Sequence, residues 1–245
     1  MSAPRFYCST LPHHGPTFDL PPEAAHHAQR VLRLRENDPV QVFDGAGNAL
    51  DAVISEISGK RVVLGRLKPY AGEQPSPLHI VLAQAMCSSE KMDWIVQKAT
   101  ELGAAEIQPV QTQRSVAKLI GERIEKRAAH WHNVIIAACE QCGRNLLPQV
   151  HAPQKFGAWL AAMRDTPGAK FILLPEGAAA LHEQHKPQGS VILLIGPEGG
   201  FSADETKMAH MAGFIPIRLG RHVLRTETAA MAGISALQTL WGDFL

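Results

Sequence analysis

Several things are missing from this chain of 245 residues. No apolar run approaches the ~18 residues needed to cross a membrane. The opening residues, MSAPRFYCSTLPHH, lack the charged-then-apolar order of a secretory signal. The expectation is a cytoplasmic protein. Net charge is only +1, so there is no long-range basic field, and a nucleic acid would have to be met by a local patch. The four cysteines are then expected as reduced thiols. Cys139 and Cys142 form one Cys-x-x-Cys in AACEQCGRN, but no second pair has ligand spacing, so this is half a zinc site at most. The pair follows a helical pattern instead of opening one, unlike a thioredoxin-type motif. Plain thiols, and no metal, are expected. The nucleotide signatures are absent too: there is no Walker lysine and no Gly-x-Gly-x-x-Gly. No internal repeat or low-complexity tract occurs.

What is present reads as two parts. Hydrophobic residues make up 45%, enough for a real core. Residues 1–72 carry short β-branched or aromatic runs, RFYCS, VQVFDGAG, NALDAVISEI and RVVLGRL, with turn points at Asp44-Gly45 and Ser58-Gly59. One helix is predicted from Pro22 to about Arg35, and the whole suggests a small barrel. The Pro/Gly-rich KPYAGEQPSP, residues 68–77, reads as a linker. From residue 73 onward, apolar strands alternate with helical patterns: LHIVLAQAM, then a helix with Met92, Ile95, Val96, Ala99 and Leu102 at helical spacing, capped by Ser89 and ended by Gly103. This alternation predicts a mostly parallel sheet with helices on both faces.

Three strand ends carry the chemistry. VILLIGPEGGFSADE stops an apolar run at Gly196, Pro197, Glu198, Gly199 and Gly200. Glycines just past a strand end let a backbone approach a ligand closely. Glu198 in that loop would repel a phosphate, so a neutral or partly cationic ligand fits better than a polyphosphate. ILLPEG repeats the pattern at Pro175, Glu176 and Gly177, and IRLGRHVLRTETA leaves a strand at Leu219 and Gly220. Thr226 is placed to cap the helix that follows. Such strand ends in one parallel sheet gather ligands. Arg225 and Glu227 also admit a plainer reading as a surface ion pair.

Taken together, IGPEGGFSADE, LGRHVLRTETAAMAGISALQ, SSEKMDWIVQKATELGA and AACEQCGRNLLPQV resemble the RsmE family of 16S ribosomal RNA methyltransferases, and the likeness extends over the whole chain. The resemblance implies an α/β fold of SPOUT type, trefoil-knotted, at residues 73–245, preceded by a PUA-like β-barrel at 1–72 that binds RNA. It implies a homodimer that uses S-adenosylmethionine to methylate N3 of one uridine in the decoding region of the small-subunit RNA. By the family pattern, Leu174, Pro175, Gly196, Pro197, Glu198, Gly199, Gly200, Leu219, Gly220, Leu224, Thr228 and Ala229 fall at cofactor positions. Arg225, Glu227 and Arg144 are catalytic candidates. Arg5, Arg30, Arg33, Arg35 and Asn145 are candidate RNA contacts. Other SPOUT chemistries, at a ribose 2′-hydroxyl or a different base, remain open, as does a non-enzymatic assembly role.

Overall fold

The computed structural model describes residues 3–12, 15–71, 73–116, 121–176 and 179–244. It divides into two compact units: Met1–Pro75 with Ile136–Leu147, and Ser76–Ile135 with Pro148–Leu245.

The first unit holds β1 (Arg5–Tyr7), β2 (Thr17–Asp19), α1 (Pro22–His26), β3 (Pro39–Phe43), β4 (Ala49–Ser58) and β5 (Arg61–Tyr70). The strands make one mixed sheet in the order β1-β3-β4-β5-β2. Only the β1–β3 pair is parallel. Alternate residues of these strands face inward, so Phe6, Val40, Val42, Ile54, Val62 and Leu64 meet Ala25 and Ala28 in a closed apolar cluster. Asp44 shapes the β3–β4 turn: its Oδ1 accepts from the N–H groups of Ala46 at 2.8 Å and Asn48 at 3.1 Å.

Three details depart from the sequence reading. The predicted helix to Arg35 is α-helical only to His26 and then widens into a π turn, His27–Val31. The N–H of Leu32 donates to the His27 carbonyl at 3.0 Å, a five-residue reach. Arg33 then turns left-handed, at φ 55°. The strand β2 was not foreseen. Lys68, Pro69 and Tyr70, read as linker, pair instead with Asp51, Leu50 and Ala49, because ladder pairing overrides local composition.

The second unit runs β6 (His79–Ala85), α2 (Ser89–Glu101), β7 (Glu106–Gln111), α3 (Glu122–Cys142), β8 (Gln149–Val150), β9 (Gln154–Lys155), α4 (Phe156–Met163), β10 (Ala169–Leu173), β11 (Ala179–Ala180), β12 (Ser190–Ile195), α5 (Ala203–Met211), β13 (Ile215–Arg218) and α6 (Thr226–Trp241). The last residues of α3 belong to the first unit. The sheet order is β11-β13-β10-β12-β6-β7-β8, with β9 also on β7. Every pair is parallel. The central strands are apolar on both faces, as a parallel sheet covered by helices requires: Ile80, Leu82, Leu193 and Leu194 are fully buried.

Strand order places the site. Strand β10 lies between β12 and β13, with Ile172 beside Leu194 and Leu173 beside Ile217. The ends of these three strands are therefore adjacent, although they are far apart in the chain. Helix α6 lies over the sheet through the stripe Ala230, Ile234, Leu237 and Trp241, all buried. A Cβ on Gly233 would come 2.6 Å from the Leu193 side chain, so this small residue serves packing within the subunit. The cysteines Cys139 and Cys142 sit in the last turns of α3. Burial pushes the Cys139 thiol up to about 12, which makes it a poor nucleophile. Among the described residues, no group of three or more His, Cys, Asp or Glu could hold a metal, and no helix is long and apolar enough to cross a membrane.

Candidate active site

A cleft of ≈ 800 Å³ opens in the second unit where β10, β12 and β13 end. Its floor and walls come from Leu174 and Pro175 after β10, the turn Gly196–Phe201 after β12, the loop from Arg218 to Leu224 after β13, and the start of α6. Helix and sheet geometry thus gathers nearly every residue that the sequence placed at a cofactor: Leu174, Pro175, Gly196, Pro197, Glu198, Gly199, Gly200, Leu219, Gly220, Leu224 and Ala229. Arg225 joins them. Thr228 does not. Arg225, Thr226 and Ala229 face the cleft, and Thr228 falls on another side of the turn, exposed. Gly177 lies outside the described residues.

The glycines do different jobs. Pro197 to Gly200 is a tight turn, closed by the Gly200 N–H on the Pro197 carbonyl at 2.9 Å. Gly200 and Gly220 have φ of +67° and +76°, and a Cβ on either would meet nothing within 4 Å. These two need glycine for backbone conformation and leave open space beside them. At Gly196 a Cβ would press on the Phe201 ring at 3.0 Å, and at Gly199 on Arg114 at 3.3 Å. There the close approach is to the protein's own side chains, a correction to reading every glycine as ligand clearance. Arg114 fixes the turn from outside: its Nη1 donates to the carbonyls of Gly199 at 2.8 Å and Phe201 at 3.4 Å.

Thr226 does not cap α6. That position is Arg225, which makes no side-chain cap bond. The Thr226 hydroxyl instead donates to the Gly196 carbonyl at 2.6 Å and accepts from Gln84 Nε2 at 2.9 Å. Buried and 142 residues from Gln84 in sequence, it ties β6, the turn after β12 and the start of α6 together. Ser88, not Ser89, precedes α2, and it too lacks a side-chain cap bond. Ser202 does cap: it and Glu205 form a reciprocal capping box at the start of α5.

Lys91, in the first turn of α2, lines the same cleft. Its Nζ lies 3.1 Å from Glu198 and 3.5 Å from Glu227. The hydrogen bond to Glu198 dominates an upward shift of the Lys91 pKa, against the opposing effect of desolvation. Glu227 Oε2 is buried and makes no hydrogen bond; the Lys91 ammonium is near it as a charge, not as a well-aligned donor. The sequence reading missed Lys91, although a cation in the first turn of a helix runs against the helix dipole and so carries a signal.

Comparison with known proteins follows the same geometry. Residues 74–238 match the family model described as an RNA methyltransferase domain, and residues 20–65 the one described as an RNA methyltransferase PUA domain. The chain is 34% identical over 98% of its length to ribosomal RNA small subunit methyltransferase E of Buchnera aphidicola subsp. Schizaphis graminum, covering 97% of that relative. The chain belongs to the ribosomal RNA small subunit methyltransferase E family. Against the Mycobacterium tuberculosis protein of that name it is 30% identical over 98% of this chain and 93% of that one. The crystal structure of ribosomal RNA small subunit methyltransferase E from Neisseria gonorrhoeae, bound to S-adenosyl methionine, superposes with a TM-score of 0.91 at 38% identity, covering 100% of both chains.

The other residues singled out for this family lie in the first unit. Arg30, Arg33 and Arg35 are exposed on the π turn and the loop after it, beside Val31 at 62% and Leu32 at 40% exposure. Arg5 and Asn145, named as RNA contacts, are also engaged within the first unit. The Arg5 guanidinium donates to Gln41 Oε1, to Asn145 Oδ1 and to the Arg144 carbonyl at 3.0 Å, and lies 4.8 Å over the Phe43 ring. Asn145 is only 3% exposed, and its N–H donates to Glu73. Arg144 is paired with Glu73 at 3.7 Å. Arg5 and Asn145 thus hold the segment after α3 onto β1 and β3.

Proposed function

We propose that this chain transfers the methyl group of S-adenosylmethionine to N3 of a uridine in the decoding region of 16S ribosomal RNA, as a cytoplasmic homodimer acting on the small subunit. One observation carries the cofactor reading: a cleft of ≈ 800 Å³ at three parallel strand ends, with Gly200 and Gly220 leaving open space along it. Its size suits a nucleoside-sized ligand. The donor set fits as well. Leu174, Leu219 and Leu224 offer apolar contact, backbone groups of Gly196–Gly200 offer hydrogen bonds, and the carboxylate of Glu198 suits a cationic ligand. When bound, the cofactor supplies an electrophilic methyl group.

The protein's own residues then have two tasks. Uridine N3 is protonated and must become an anion spread over two carbonyl oxygens. Arg225, at the entrance of α6, combines a guanidinium with the positive end of a helix dipole and would stabilise that anion. Glu227, two residues further, is the candidate acceptor of the N3 proton. The roles of the remaining positions form part of the same proposal. Residues 1–72 act as the RNA-holding PUA-like part through Arg30, Arg33 and Arg35, and residues 73–245 as the knotted SPOUT part. Arg144, ion-paired with Glu73, is the third catalytic candidate, placed to hold the RNA or the base. Ala232 and Ala236, half-exposed on α6 beside Thr239 and Leu240, supply the dimer face.

The test is methylation of purified small subunits lacking this modification, followed by nucleoside analysis and mapping. N3-methyluridine at one decoding-region position is the expected product. A 2′-O-methyl nucleoside, or another base, would overturn the assignment.

A further inference from the structure

Three charged side chains from three separate elements meet at one wall of the cleft: Lys91 from the first turn of α2, Glu198 from the turn after β12, and Glu227 from the first turn of α6. Lys91 and Glu198 line the cleft directly. With all three ionised, they sum to one negative charge. The side chains of the cluster are 32%, 30% and 18% exposed for Lys91, Glu198 and Glu227, so Glu227 carries the least screened charge of the three. The neighbouring thiol belongs to the same environment: burial pushes Cys87 up to about 12, and Glu198 adds to the rise.

We propose that the Lys91–Glu198–Glu227 cluster selects the methyl-bearing, sulfonium form of the cofactor over its demethylated product. The inference rests on the reading of this cleft as the S-adenosylmethionine site. In the transfer, a bond forms between nitrogen and the methyl carbon. The carbon–sulfur bond breaks with its electron pair left on sulfur, and a sulfonium becomes a neutral thioether. Substrate and product thus differ by one positive charge and one methyl group. A fixed, partly buried negative charge at the cleft wall attracts the first and is indifferent to that change in the second. Lys91 is the positioning residue: it holds both and sets the sum at one negative charge instead of two.

The test is calorimetry on the full chain, titrated separately with S-adenosylmethionine and S-adenosylhomocysteine at low and high salt. The readout is the ratio of the two dissociation constants, which a purely structural clamp would leave unmoved because both ligands would lose affinity together. Glu198→Gln should lower the preference for the methylated form by about fivefold, and Lys91→Met should raise it by about as much. Lys91→Arg should keep the wild-type ratio. Glu227→Gln gives a second, independent removal of negative charge and should move the ratio in the same direction as Glu198→Gln. High salt should shrink all of these differences. Ratios equal to wild type in Glu198→Gln and Lys91→Met, with both ligands still bound, would overturn charge selection and leave the cofactor site standing. No binding of S-adenosylmethionine to the wild type would overturn both.

Discussion

Replacing Thr226 with valine removes one hydroxyl and keeps the shape of the side chain. Thr226 is 5% exposed, and Gln84, its partner, is fully buried. Two groups lose a partner. One hydrogen of the Gln84 amide is orphaned with no water to take its place. The same nitrogen still donates to the Ala85 carbonyl at 3.0 Å, so the loss is one bond and not two. Gln84 Oε1 already lacks a partner, which leaves this amide with no compensating contact. The Gly196 carbonyl, at the edge of the cleft, is partly rehydrated. An orphaned buried donor costs about 1–3 kcal/mol and a lost but rehydrated bond less, so the sum is about 2–3 kcal/mol. For a chain of this size that is a fall of roughly 4–12 °C in Tm. Thr226→Ser, which keeps the hydroxyl, should recover most of it. Thermal and urea unfolding of the three proteins, followed by circular dichroism, would measure this. A valine variant as stable as wild type, or a serine variant as unstable as the valine one, would refute the claim that this hydroxyl ties β6, the turn after β12 and α6 together.

Five further outcomes are expected. Gly200→Ala should destabilise by about 1–2 kcal/mol through its positive φ alone, read by urea titration, while Gly196→Ala should weaken S-adenosylmethionine binding by displacing the Phe201 ring that its Cβ would meet at 3.0 Å. Arg30→Ala with Arg33→Ala should weaken binding to small-subunit RNA and lower the salt slope by about 1.5, with calorimetric cofactor affinity unchanged; an unaltered slope would make these arginines a solvated face. Ala236→Glu should shift sedimentation towards the monomer and lose activity together, and an active wild-type monomer at assay concentration would rule out the dimer proposal. Glu106, half-buried, accepts from His79 at 2.8 Å and His151 at 2.6 Å; burial alone would raise its pKa, but these two bonds and their charges outweigh burial and lower it below the usual 4.5. The stability it confers is therefore present above the ordinary carboxylate range and lost as pH falls through the lowered value, so the gap in urea midpoint between wild type and Glu106→Gln should close on acidification.

The parts of this fold that were legible were those where one chemical rule acts alone. Apolar runs such as Val191–Ile195 read as buried strands, and glycines after them read as a ligand turn. Helix α5 starts at the Ser202–Glu205 capping box, a local rule of the same kind. Elements held by pairing partners alone were not legible: Thr17–Asp19 is a strand because β5 lies beside it, and the two-residue strands β8, β9 and β11 have no pattern of their own. Residue roles were hardest where a side chain had two possible partners. Thr226 has the chemistry of a cap but reaches Gly196 and Gln84, 30 and 142 residues away. Arg5 and Asn145 have the chemistry of RNA contacts but bond each other across 140 residues. Two weak signals were present and unread: a glutamine inside the apolar strand β6, and a lysine in the first turn of α2.

The first unit takes its last piece, Ile136–Leu147, from far along the chain. That piece closes Arg5 through Asn145, receives the Tyr7 N–H on Glu140 at 3.0 Å, and pairs Ala46 with Leu146. Synthesis on the ribosome is vectorial, so Met1–Pro75 emerges well before its closing segment is made. At translation speeds of about 5–20 residues per second, the delay from Pro75 to Leu147 is about 4–14 s. During that interval Arg5 keeps Gln41 but lacks Asn145 and the Arg144 carbonyl, and Glu140 is not yet there to accept from Tyr7. The N-terminal part of this protein cannot mature first, as N-terminal domains usually do; it has to wait for the middle of the other unit to be translated. A fragment ending at Pro75 would be caught permanently in that waiting state.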